Sequence, residues 1–208
     1  MSDHFFFFRI CRILPCITLG LVLLLAACAG GRQEQPPPPA PTPPMAVENP
    51  ANVVWNAEPG GLYLVITSSN DLNFHENVPL GLTLCLFQME DKNSFDNLSK
   101  STDGFEVLRE CSATAAGAVV ARELHIQPGQ RKDLVLDRAE KAKYLGVIAN
   151  YAHLDPEKSV AVFPYLMQEK LSGWVPLLRT TLYSASSMNI FIQLGASSLS
   201  VNGEIREQ

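Results

Sequence analysis

The sequence predicts a mainly β protein, an antiparallel β-sandwich with small helical insertions, and three observations predict it. Apolar residues in the globular part recur with a period of two. The runs are short and are separated by turn-forming residues. Signals of helical period are few.

The elements follow in chain order. Leu62, Leu64 and Ile66 alternate with Tyr63, Val65 and Thr67, and Leu80, Leu82, Leu84 and Leu86 alternate with Gly81, Thr83, Cys85 and Phe87. Each run reads as a strand with one face in a core. Ser94 is placed to cap a short helix carrying Phe95 and Leu98. Leu124 and Ile126 lead into Gln127-Pro128-Gly129-Gln130, with proline and glycine at the two central positions of a type II turn. Leu134 and Leu136 continue beyond it, so the pattern predicts a hairpin. Arg138 to Lys143 suits one or two helical turns. Tyr144 to Ala149 is nearly all apolar, as in a central strand covered on both faces. Pro176 limits the stretch from Trp174 to Leu182 to an edge strand at most. Met188, Ile190, Ile192 and Leu194 alternate again, and Leu199 with Val201 make a last short strand. The expectation is seven or eight strands.

The amino terminus has a different character. Arg9 and Arg12 form a short basic region, and Ile13 to Leu25 an apolar one that is too short to span a bilayer stably. Asp3 and the run Phe5 to Phe8 are unusual for such a leader. Leu25-Ala26-Ala27-Cys28 resembles the bacterial lipobox, at which diacylglycerol is attached to the cysteine thiol before cleavage in front of it. On this reading residues 1–27 are a lipoprotein signal peptide and Cys28 is the acylated first residue. The rival is an uncleaved anchor with an incidental cysteine. Each buried methylene contributes roughly 0.8 kcal/mol, and one short chain binds reversibly, so several chains on one cysteine make release negligible. Ala29 stands where an aspartate would resemble an inner-membrane retention signal, so sorting to the outer membrane, facing the periplasm, is expected. Residues 28–52 hold the acylated cysteine and a tether containing Pro36 to Pro39, Pro41, Pro43, Pro44 and Pro50. Such a segment favours extended polyproline II and reaches up to ~55 Å. Residues 53–208 form the β-sandwich domain.

Cys11 and Cys16 leave with the signal, so Cys85 and Cys111 are the cysteines of the folded part. In an oxidising compartment they form a disulfide, or they remain as two buried thiols; composition leaves both open. If the leucines around Cys85 face the core, Cys85 faces the other side. A helical insertion ending near Cys111 could cover that side and be pinned there. Removing Arg9, Arg12 and Asp3 leaves 14 basic and 20 acidic residues, a balance of −6. With no basic block, nucleic acid is not an expected partner.

No catalytic constellation is visible. There is no Gly-x-Ser-x-Gly elbow, phosphate-cradling glycine loop or paired-histidine metal motif. His75, His125 and His153 are scattered, and Cys85 and Cys111 lack the close spacing of zinc sites. Asp71, Glu76, Glu90 and Asp91 flank the second strand and read as solvated carboxylates. The expectation is therefore no enzyme, no metal and no cofactor beyond the covalent lipid on Cys28. The segment Asn70, Asp71, Leu72, Asn73, Phe74, His75, Glu76, Asn77, Val78 and Pro79 places two apolar side chains in a polar loop. Loops on a rigid sandwich are where recognition usually sits, and an exposed phenylalanine suits a partner. Alternatively Leu72 and Phe74 tuck back onto the end of the sandwich.

From about Leu62 to Leu154 the chain resembles the TssJ (VasD/Lip) family, the outer-membrane lipoprotein of the type VI secretion system. Leu72-Asn73 with Pro79, followed by a strand ending Leu86-Phe87-Gln88-Met89, is similar to the family's Leu-Asn-Pro loop and its apolar strand. Phe95 and Leu98 lie where the family has a helical insertion. Pro128-Gly129 and Tyr144-Leu145-Gly146-Val147-Ile148-Ala149 are similar to its Pro-Gly turn and Gly-Val-x-Ala strand. The resemblance implies a transthyretin-like sandwich with a non-catalytic role, docking the periplasmic domain of the inner-membrane component TssM through the loop from Asn70 to Pro79. Phe74 stands where the family has proline, the Trp-Arg pair after the Gly-Val-x-Ala strand is not evident, and the stretch from Tyr165 to Ser187 is longer than typical. The alternative function is a periplasm-facing lipoprotein that binds a small ligand or a cell-wall fragment.

Overall fold

In the computed structural model, residues 45–153 and 155–206 are described, and they lie in the compact unit Pro41–Gln208. The expected signal peptide, the expected lipidation site Cys28 and the expected tether up to residue 44 lie outside the described residues.

Strand β1 (Glu58–Ser68) forms the centre of one layer. It pairs antiparallel with β4 (Arg131–Arg138) and parallel with β9 (Met188–Leu194), which in turn pairs with β10 (Leu199–Ile205). The second layer runs β3 (Val120–Ile126), β2 (Leu82–Met89), β5 (Tyr144–Ala149) and β6 (Val160–Pro164), all antiparallel. The period-two leucines face the core as alternation demands, except Leu80, which precedes β2 and is exposed. Leu62, Leu64 and Ile66 meet Leu84, Leu86 and Val147 in the core between the layers, with Ile190 and Ile192 beside them. Ten strands occur among the described residues, more than alternation revealed. The additional ones include β6, whose aliphatic residues are half-buried on both faces and show no period of two.

Beyond the second layer lies a helical insertion, α1 (Asn93–Ser99), α2 (Thr102–Arg109) and α3 (Ala113–Ala116). It covers the outer face of β2 and β5, burying Phe87, Met89 and Ile148 against Phe95, Phe105 and Leu108. The face of β2 opposite the leucines is therefore as dry as the core face. Gly146 in β5 makes this fit possible, since a Cβ there would stand 2.8 Å from the Phe95 ring. Cys85 and Cys111 are joined by a disulfide, Cα to Cα 5.3 Å, which ties the end of α2 to the sheet. Ser94 lies inside α1 and does not cap it; Lys92 holds the cap position, and the Asp91 carboxylate accepts from the Asn93 amide at 3.0 Å.

Two local expectations are corrected. The Pro128-Gly129 turn forms, with the Gln130 amide donating to the Gln127 carbonyl at 3.3 Å and Gly129 at φ +67. It does not close a hairpin: β3 pairs with β2 in one layer and β4 with β1 in the other, so the turn is a corner between layers. Alternation reports which face is buried, not which neighbour is hydrogen-bonded, so a corner and a hairpin look alike in sequence. Arg138 to Lys143 is not helical. β4 continues to Arg138, whose side chain is buried and anchored, and Lys141 adopts φ +65, which a helix does not allow.

The segment after Tyr165 makes a third, two-stranded sheet, β7 (Met167–Ser172) with β8 (Thr180–Ala185). Between them a 3₁₀ turn, Pro176–Leu178, forms at the proline that ruled out a longer strand. The packed chain begins before Val53: Val47 and Tyr183 exchange backbone hydrogen bonds at 2.9 and 2.7 Å, laying the end of the tether along β8.

The pairing registers define two ends. Ser68, Gln130 and Leu194 meet at one end, where the Ser68 amide donates to Gln130 and the Ser69 amide to Leu194. Glu58, Arg138, Met188 and the base of the β7–β8 hairpin meet at the other.

Candidate functional site

The loop from Asn70 to Pro79 closes the first end of the sandwich, and it has a buried base and an exposed finger. Leu72 is fully buried among the core side chains. Its amide donates to the Ser69 carbonyl at 3.1 Å, and its carbonyl accepts from Leu80 at 3.0 Å. Asn73 is also buried and wired in both directions: its amide side chain donates to the Gly81 carbonyl at 3.1 Å and accepts from the Ala152 amide at 2.7 Å. This asparagine takes φ +49, a left-handed conformation that asparagine tolerates better than most residues.

The finger starts at Phe74, whose amide donates to the Ala196 carbonyl at 3.0 Å. His75 and Val78 then exchange two backbone hydrogen bonds, 3.0 and 2.9 Å, across Glu76 and Asn77. Both central residues have positive φ, 48 and 65, as a two-residue type I′ turn requires. The finger is thus a miniature hairpin with its own ladder. Phe74 is 48% exposed and Val78 52%, and His75, Glu76, Asn77 and Pro79 are also on the surface. Asn70 and Asp71 are exposed at the near side of the loop. Of the residues expected to face a partner, Leu72 and Asn73 are buried, Leu72 as in the alternative that tucks it onto the end of the sandwich. A leucine two residues before a phenylalanine carries no sequence signal that separates the two fates.

The finger is electrostatically plain. His75 Nε2 lies 3.8 Å from the Glu76 carboxylate, and both are exposed, so this contact contributes little. Asp71, Glu76, Glu90 and Asp91 do not gather, because β2 carries the last two to the opposite end. Among the described residues no group of three or more histidine, cysteine or acidic side chains could hold a metal. An open groove of about 450 Å³ beside the loop is lined by Thr67, Gln193, Leu194 and a row of serines, with no aromatic residue. Such a lining does not match an apolar ligand site.

Sequence reasoning missed a cluster at the other end. Arg138 is buried, with Nη2 2.8 Å from the Glu58 carboxylate and Nη1 donating to the Ser186 carbonyl at 2.8 Å. Its guanidinium lies 5.3 Å from the Trp55 ring, which in turn packs at 6.2 Å on Tyr165. Burial pulls the Arg138 pKa down from its ordinary value, with Glu58 opposing the shift. Burial also pushes the Tyr165 hydroxyl up. These groups tie the chain leaving the tether, the end of β4 and the start of β9 into one knot. Trp55 with Glu58, Arg138, Tyr165 and Ser186 come from stretches too far apart in sequence to be recognised as a set.

The family model described as type VI secretion lipoprotein (VasD, EvfM, TssJ) matches residues 61–197. The crystal structure of the lipoprotein TssJ1 from Pseudomonas aeruginosa is similar, with TM-score 0.51 and 16% identity, over 73% of this chain and 98% of that one. The Serratia marcescens protein Lip, a membrane-bound component of the type VI secretion system, matches with TM-score 0.50 and 19% identity, over 68% and 96%. No curated protein sequence matches the chain significantly. The family match spans both layers of the sandwich, the helical insertion and the finger, and the chain belongs to the type VI secretion lipoprotein family of VasD, EvfM and TssJ.

Proposed function

We propose that the chain is a structural, non-catalytic lipoprotein of the type VI secretion membrane complex. It is anchored in the outer membrane by acyl chains on Cys28 and faces the periplasm. Its finger docks the periplasmic domain of the inner-membrane component, a TssM-type protein. The division into a signal (1–27), an acylated tether (28–52) and a sandwich (53–208) belongs to the same proposal. The observation that carries it is the finger itself: a hydrogen-bonded hairpin that holds Phe74 and Val78 out of the core on a rigid end of the sandwich. A preformed apolar projection loses little conformational freedom on binding, which favours a protein partner.

The test is binding of the TssM-type periplasmic domain from the same secretion system to the acylated protein in detergent, measured by surface-immobilised titration. Phe74→Ala with Val78→Ser is expected to weaken binding by about 2 kcal/mol, roughly thirtyfold. Full affinity in that double variant, with unchanged folding, would remove the finger from the interface.

A further inference from the structure

The end of the sandwich opposite the finger carries a second apolar projection. β7 and β8 form an arm whose base is bolted to the domain: the Ser186 hydroxyl donates to the Leu166 carbonyl at 2.8 Å, and Arg138 holds the Ser186 carbonyl. The register runs from Met167 opposite Ala185 at the base to Ser172 opposite Thr180 at the tip. Beyond that last pair, the turn presents Trp174 at 92% exposure and Leu177 at 95%, with Leu178 and Leu171 also well exposed. The turn is ordered by its own hydrogen bond, the Leu178 amide to the Val175 carbonyl at 3.0 Å. A tryptophan and three leucines gathered in water are unfavourable unless something covers them.

Charge and chain path name the cover. From Lys170 to Gly203 the sequence has no aspartate or glutamate, in a chain with 21 acidic residues. The charges in that stretch are Lys170 and Arg179, one on each side of the tip, and neither makes an ion pair among the described residues. The nearest acid, Glu169, sits opposite Tyr183, farther back from the tip than Lys170. Indole and leucine flanked by two cations suit the interface of an anionic bilayer, where the ring sits at headgroup level. The tether ends on this same arm, at Val47 beside Tyr183. Its reach of ~55 Å exceeds the ~20 Å length of a six-residue strand, so an anchored chain can lay the tip on the membrane.

We propose that the β7–β8 tip is a membrane wedge. Trp174, Leu177 and Leu178 enter the interface of an anionic phospholipid surface, Lys170 and Arg179 meet its headgroups, and the finger points away from that surface. This rests on the anchored reading. The lipid anchor raises the local concentration, so a wedge too weak to act alone still orients the domain.

The acylated mature protein reconstituted in vesicles of phosphatidylethanolamine and phosphatidylglycerol tests this through tryptophan fluorescence. Trp55 is buried and serves as the internal reference. Trp174 emission is expected to shift to shorter wavelength and to be quenched by lipid brominated along its acyl chains. Trp174→Phe should abolish both signals, and Lys170→Gln with Arg179→Gln should reduce them. An unquenched Trp174 that stays open to aqueous iodide would overturn the wedge, as would its burial in a second copy of the chain. Equal quenching in pure phosphatidylcholine would overturn the anionic assignment. The anchor is judged separately, by the acyl mass of the same preparation. A protein found unacylated is held on the same vesicles through an amino-terminal hexahistidine tag and a nickel-chelating lipid, where Trp174 quenching again supports or overturns the wedge.

Discussion

Leu72 and Phe74 are two positions apart in one loop and have opposite fates. Leu72 fills core volume under the loop, so Leu72→Ala leaves a cavity and is expected to cost about 3 kcal/mol, read as a lower urea midpoint. Phe74→Ala removes a side chain that is half in solvent, so its melting temperature should stay close to that of the parent protein while partner binding falls. Reversal of these two outcomes would show that the loop is packed differently. Arg138 is the most demanding single residue of the fold. It is buried, its Nε has no hydrogen-bond partner among the described residues, and one carboxylate balances its charge. Arg138→Ala removes the ion-pair partner of Glu58, leaving it the Ser187 hydroxyl, and uncovers Trp55; about 3 kcal/mol of destabilisation is expected, the low end for a broken buried pair because Glu58 is partly solvated. Chemical denaturation of Arg138→Ala beside Glu58→Gln checks this, with the glutamate variant the milder.

The helical insertion is the element whose stability depends on a covalent tie. Its helices are short, with two of them capped by Ser101 and Ser112, and isolated helices of that length do not persist in water. Its hold on the sheet comes from Phe95, Phe105 and Leu108, and from the Cys85–Cys111 bond. With a separation of 26 residues, the bond contributes roughly 3.5 kcal/mol by loop-closure entropy. Replacing both cysteines by alanine should lower the melting temperature. Hydrogen exchange should then show protection lost first over residues 93–116, with β1 and β9 retaining theirs; uniform loss would mean that the insertion and sandwich unfold as one. At this scale the long alternating strands, β1, β2, β9 and the apolar β5, were legible because one face or both had to be dry. β6, β7 and β8 were not, because half-buried strands and an arm outside the core have no single dry face to impose a period.

For the molecule as a whole, the register of the strands creates two unlike ends. The finger of Phe74 and Val78 stands at one, and Val47, the Arg138 knot and the β7–β8 arm gather at the other. On the proposed reading, with the lipid anchor joined to one end and the partner docked at the other, load would pass along the strands. Cys28→Ser is expected to leave the chain uncleaved or displaced from the outer membrane, as fractionation of the envelope would show. Ordinary outer-membrane recovery of that variant would defeat the anchor.

Sequence alone determined the class of fold, the strands with a dry face, the sharp turn at Pro128-Gly129 and the family resemblance, because each is written in neighbouring residues. Tertiary structure alone decided which strands pair, that the turn joins two layers, that Leu72 is core while Phe74 is surface, and that Arg138 meets Glu58 and Trp55. Those outcomes depend on contacts between residues distant in the chain, where the free energy of burial is set by what lies opposite and not by what lies next in sequence.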